Sequence, residues 1–121
     1  SAAPESQYYE WHQVYKISDR YVMLIEAYNG GTRWRANIAV SSKLTTGWKK
    51  APIELIDQTK WPKYADEKQF HVATPAIYKL QDKWYMYFQA APKGPYIVQN
   101  WSLYGIDFDP YMKKILSLPL E

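Results

Sequence analysis

Acid–base chemistry in this chain rests on 12 Asp and Glu side chains and 2 His, because cysteine is absent and thiol catalysis with it. Six of the acids stand in informative places. Glu10 precedes an apolar run and Glu26 ends one; Asp19 and Asp82 lie in short polar breaks; Asp107 and Asp109 sit near the chain end with no motif around them. Aspartates in short breaks are turn formers. Glu26 reads either as a hydrogen-bonded structural carboxylate or as a contact to substrate hydroxyls. Arg33 and Arg35 flank Trp34 at strand spacing and share one face, within reach of a salt bridge to Glu26 or of a polar ligand. The sequence holds no GxSxG elbow, P-loop, GxGxxG or HExxH segment.

The aromatic load is high: 6 Trp, 12 Tyr and 3 Phe. Rings of this kind fill β-rich cores. A surplus of Tyr and Trp also suits stacking on sugar rings, whose C–H faces are apolar and whose edges carry hydroxyls. Trp11 and Trp101 are the candidates nearest the informative carboxylates and strand ends. Net charge is +3, with lysines dispersed among acids. No basic stripe marks a nucleic-acid surface, and no apolar run approaches the ~18 residues of a membrane span.

These residues are positioned by a sequence that says nearly the same thing twice. Residues 10–27 (EWHQVYKISDRYVMLIEA) and 73–90 (ATPAIYKLQDKWYMYFQA) align at an offset of 63 (82 − 19, from Asp19 and Asp82). Tyr15, Lys16, Met23 and Ala27 meet Tyr78, Lys79, Met86 and Ala90. Such repeats are single supersecondary units that bury their apolar faces against one another. Each copy reads as a hairpin: strands over 11–17 and 21–28 about Ser18-Asp19-Arg20, and over 76–80 and 84–90 about Gln81-Asp82-Lys83. The second run of each is nearly continuous in apolar residues, which predicts burial on both faces. After Asn29-Gly30-Gly31, a third strand is expected over 34–40, followed by a short outer segment from Trp48 that Pro52 limits. The stretch 57–72 is a polar crossing, 96–104 the matching third strand, and 105–121 a mostly irregular tail holding Pro110 and Pro119.

Three or four antiparallel strands per unit of about 60 residues is the plan of a propeller blade. Closed propellers need roughly 4–8 blades, and two units do not close a ring. The expected fold is therefore all-β: antiparallel four-stranded blades of a partial β-propeller, in a single partial domain with blade-like units about 8–56 and 71–110; the resemblance below implies five blades in the whole.

The residues Glu10, Val14-Tyr15-Lys16, Met23-Leu24-Ile25-Glu26-Ala27 and Ser42, Leu44, Gly47, Trp48 resemble, in order, one blade of the five-bladed propeller glycoside hydrolases of families 43 and 62 and their relatives. The segment ATPAIYKLQDKWYMYF resembles the following blade, and the likeness covers residues 8–104. It implies a hydrolase of arabinofuranosidase or xylosidase type, acting on plant polysaccharide, secreted or periplasmic. Glu10 stands at the family's general-acid position, though Trp11 and His12 replace its usual small residue and Pro. In related enzymes a basic residue in the area of Arg33 and Arg35 reaches the substrate; Trp11, His12, Glu26 and Trp101 are the other substrate-contact candidates, with packing as the alternative for Trp11 and Trp101 and a structural role for Glu26. The family's general base and pKa-modulating Asp belong to blades ahead of this one, so it implies a second chain, or further chain, that completes the propeller, homo- or hetero-oligomeric. Some members hold a calcium–water cluster near a central histidine, and His71 precedes the second unit, but one histidine is no metal signature; no cofactor is expected, with calcium as the one alternative. The competing reading is a non-catalytic carbohydrate-binding propeller module.

Overall fold

The computed structural model describes residues 7–29, 34–53, 55, 70–92 and 101–120, with side chains at 12–26, 36–53, 55, 72–91 and 101–120. Among these residues the chain is mostly β, in two antiparallel sheets. β1 (Gln7–Ile17), β2 (Arg20–Asn29), β3 (Trp34–Ser41) and β4 (Lys49–Lys50) form one sheet in sequence order. β5 (Phe70–Leu80), β6 (Lys83–Pro92) and β7 (Ser102–Asp107) form the other. Among the described residues the first unit thus has four strands and the second three. Helix α1 (Asp109–Ser117) follows.

The repeat is visible in the backbone. Both hairpins close on two residues, Ser18-Asp19 and Gln81-Asp82, since Ile17 pairs with Arg20 and Leu80 with Lys83. The breaks are therefore one residue shorter than the sequence suggests, and Arg20 and Lys83 open strands. Ser18 and Gln81 each have φ 57°, while the aspartates that follow do not lie at positive φ. Positive φ at the first central residue alone is the II′ pattern, whose twist matches that of the flanking strands. Each edge strand also carries an irregularity at the same repeat position, between Glu10 and His12 in β1 and between Ala73 and Ala76 in β5.

The sheets meet face to face over one core. Val22, Leu24, Ile38 and Val40 of the first sheet join Val72, Ile77, Met86 and Phe88 of the second. Fully burying a side chain such as Leu24 or Phe88 contributes about 1.5–3 kcal/mol. The central strands are not buried on both faces, contrary to the expectation from their apolar runs. In β2, Val22, Leu24 and Glu26 are buried while Tyr21, Met23 and Ile25 are half-buried; in β6, Met86, Phe88 and Ala90 are buried and Gln89 is exposed.

The tail is not irregular. β7 runs to Asp107, later than the 96–104 strand expected; residues 93–100 lie outside the described ones. Pro110 sits in the first turn of α1, where a missing N–H costs nothing. Phe108, Met112 and Ile115, spaced four and three apart, are all buried in the shared core, as one face of a helix requires. Asp107 Oδ1 accepts the Asp109 N–H at 3.0 Å, and Asp109 Oδ1 accepts the Trp84 N–H at 2.9 Å. At the other end, the Arg20 guanidinium donates from one nitrogen to the carbonyls of Ile115 (2.8 Å) and Leu118 (2.7 Å). A cation among the last carbonyls also complements the helix dipole. Lys83, the repeat equivalent of Arg20, pairs instead with Asp107 at 3.1 Å. Both hairpins are thereby tied to the segment from Asp107 through α1.

Candidate functional site

The candidate residues whose backbone is described lie toward the end of the sheets opposite the hairpin turns and α1. In β1–β2 the backbone register sets Glu10 opposite Glu26 and His12 opposite Ile25, with Trp11 between as the extra residue. In β2–β3 it sets Ala36 opposite Glu26 and Arg35 opposite Ala27. In the second sheet, Ala73 stands opposite Gln89, and Trp101 immediately precedes the Ser102–Ala90 pair. The two ends adjoin, because Glu26 reaches across from one sheet to the other.

That crossing is the best-defined polar feature of the region. Glu26 is 8% exposed, and its Oε1 accepts the backbone N–H of Thr74 at 2.8 Å. Thr74 has φ 50°, in the left-handed region. It falls in the β5 bulge, where a residue is left out of the ladder, so its N–H needs a partner from elsewhere. Pro75, next in line, has no N–H to satisfy. A second crossing lies nearer the turns: the Ile77 N–H donates to the Tyr15 hydroxyl at 3.0 Å. Burial pushes the Tyr15 phenol above its ordinary pKa; the Ile77 N–H opposes this, and nearby Tyr78 adds to it.

The remaining sequence candidates are placed as follows. His12 is exposed on β1, and Trp101 is half-buried and has polar or ring contacts. Glu10, Trp11 and Arg35 have described backbone only, and Arg33 lies outside the described residues, as does the His71 side chain. Asp19, on its exposed turn, receives Arg20 Nε at 3.0 Å, which holds its carboxyl below the usual aspartate range. Asp107 is lowered too, first by the Asp109 N–H and then by Lys83. Both aspartates lie at the turn and helix end, far in register from Glu10.

Sequence reasoning missed Thr74, Tyr15 and Arg20. The Thr-Pro dipeptide at the start of the second unit and the Tyr15–Tyr78 match were the signals available for the first two; nothing in the sequence distinguishes Arg20 from an exposed turn cation. Among the described residues, no three His, Asp or Glu side chains come together as a metal site needs. No helix of the described residues is long and apolar enough to cross a membrane. A surface depression lined by Ser41, Lys43, Thr46, Gly47, Pro119 and Leu120 lies at the turn end and has no carboxylate in its lining.

Chemically, the region offers one carboxylate occupied with a backbone N–H (Glu26) and one chain position opposite it (Glu10) at the start of an edge strand. It has no second described carboxylate to act as a base. No protein-family model matches the sequence, and no curated protein matches it.

Proposed function

We propose that this chain is a blade pair of a propeller glycoside hydrolase of arabinofuranosidase or xylosidase type, secreted or periplasmic, acting on plant polysaccharide and completed by another chain. Glu10 is the general acid that protonates the leaving oxygen. Trp11, His12, Glu26, Arg33, Arg35 and Trp101 surround the sugar, and Glu26 also fixes the adjoining blade. The completing chain supplies the base and an Asp that tunes the acid. Inversion requires acid and base about 6.5–9.5 Å apart, leaving room for the attacking water. The acid stays protonated near neutral pH only if burial or a neighbouring anion raises its pKa.

The observation that supports this most is the pair of bulges at repeat-equivalent positions, Trp11 and Thr74-Pro75, at adjoining ends of the two sheets. Bulges beside active sites re-aim side chains at the ends of strands, and Glu10 immediately precedes the first one.

The test is hydrolysis of aryl arabinofuranosides and xylosides by the assembled protein. Glu10→Gln should lower kcat by roughly 100-fold or more on a poor leaving group, since general-acid catalysis contributes about 10²–10⁴. It should have little effect on dinitrophenyl glycosides, which leave without protonation. Equal loss on both substrates, or no loss on either, removes Glu10 from the acid role. Oligosaccharide binding without cleavage by any assembly selects the binding-module reading.

A further inference from the structure

The two repeats pack through different faces of the same unit. In the first sheet the core-facing residues include Tyr15, Ile17, Val22 and Leu24. Their equivalents in the second sheet are Tyr78, Leu80, Tyr85 and Tyr87, none of which joins that core. Tyr78 is 55% and Leu80 54% exposed, and neighbouring Leu103 is 73% exposed. The converse also holds. Ile77, Met86 and Phe88 of the second sheet are 1%, 0% and 0% exposed, while their equivalents Val14, Met23 and Ile25 lie outside the core, Val14 at 42% exposure. Two units related by a two-fold axis would bury equivalent faces. These bury a front face against a back face, a heterologous contact, which leaves one unused face of each kind.

We infer that a second copy of this chain docks head to tail, its first-sheet back face (Val14, Tyr21, Met23, Ile25) on the second-sheet front face (Tyr78, Leu80, Tyr85, Tyr87). Both halves of the contact already exist on the chain, and their equivalents already pack within it, so the new interface continues the internal one. The polar crossings carry over in the same register. Gln89 takes the place of Glu26 and faces the Trp11 N–H of the second copy, at the bulge equivalent to Thr74. Tyr78 takes the place of Tyr15 and receives the Val14 N–H. Heterologous contacts either close into rings or run on, so association proceeds by addition of whole chains. This rests on the preceding proposal only for the docking of another chain; a second copy repeats this sequence and brings no base, so the base-supplying chain of that proposal is a different partner, and the readout here is mass rather than turnover.

Sedimentation equilibrium over a wide concentration range is the experiment, with Tyr78→Glu and Leu103→Glu as front-face variants and Val14→Glu as the back-face variant. All three positions are exposed, and far-UV circular dichroism checks that each variant is folded. Wild type should exceed monomer mass in a concentration-dependent way. Each variant alone should associate roughly 100-fold more weakly or less, because an unpaired carboxylate is buried in the contact. Mixing a front-face variant with the back-face variant should restore a one-to-one dimer and nothing larger, since one intact face of each kind remains. Hydrogen exchange of wild type should show protection at 12–16 and 78–80 growing with concentration, a measurement that needs no variant. A wild type that stays monomeric overturns the inference. So does a Val14→Glu variant that associates like wild type, which would mean front faces pair with each other.

Discussion

Glu26, on the central strand of the first sheet, accepts the backbone N–H of Thr74 in the bulge of the second sheet's edge strand at 2.8 Å. One carboxylate thus satisfies the donor that the bulge takes out of its own ladder. It does so across the junction between the two copies of the repeat. Leaving a buried donor unmade costs about 1–3 kcal/mol. Glu26→Ala should lower stability by about that much, and Glu26→Gln by less, because the amide oxygen still accepts. Urea unfolding midpoints measure both, and equal losses would show that charge rather than the acceptor matters.

Arg20 is 6% exposed and holds the last carbonyls of α1. Charge-assisted hydrogen bonds of this kind contribute about 1.5–3 kcal/mol. Arg20→Ala should therefore destabilise by about 2–3 kcal/mol and raise hydrogen exchange selectively at 112–118. Arg20→Lys should recover only part, since a single ammonium lacks the planar fork. Retained protection in the alanine variant would show that core contacts of Met112 and Ile115 hold the helix unaided.

Gly105 makes room for an aromatic ring. A Cβ built there would lie 2.8 Å from Cε1 of Tyr87, its cross-strand partner. The Tyr87 ring also meets Tyr78 edge-on, with centroids 5.9 Å apart. Gly105→Ala should displace the ring at a cost of about 1–3 kcal/mol, the range for overpacking. In a double-mutant cycle with Tyr87→Ala, most of that cost should vanish. Additive losses would place the strain in the backbone instead.

Stability should fall at both ends of the pH scale for separate reasons. Asp107 is lowered by the Asp109 N–H and by Lys83, so its contribution is present above the ordinary aspartate value near 3.9 and is lost as pH falls through the folded value. Tyr15 is raised, chiefly by burial. Its contribution is intact below the ordinary tyrosine value near 10 and is lost as pH rises through the folded one. Asp107→Asn should flatten the acid limb of a stability–pH curve, and Tyr15→Phe the alkaline limb. An unchanged limb in either variant assigns that limb to other groups.

The hairpins and their partners were readable because β-rich apolar runs broken by short polar segments leave few alternatives, and the offset of 63 applies the same answer twice. Which face of β2 is covered was not readable. Tyr21, Val22, Met23, Leu24 and Ile25 are apolar without alternation, so the sequence carries no period-2 signal there. Helix α1 is masked in the sequence by Pro110 and Pro119, residues that break helix interiors, although the first stands where helices begin. In the site, Glu10 and Trp11 could be assigned to the start of a strand, but the bulge that separates Glu10 from His12 depends on pairing. The Glu26–Thr74 bond depends on packing between sheets, which no local pattern encodes.

The bond from Arg20 to Ile115 spans 95 residues of sequence. Contacts of such separation form slowly, because a long loop must close before any stabilisation is returned. During synthesis, the guanidinium that opens β2 therefore has only its neighbour Asp19, and not its carbonyl acceptors at 115 and 118, until those residues have emerged. The first hairpin must wait, with its carbonyl partners missing and an apolar flank bare, for α1; ribosome-bound intermediates halted before that point should be the species that chaperones hold.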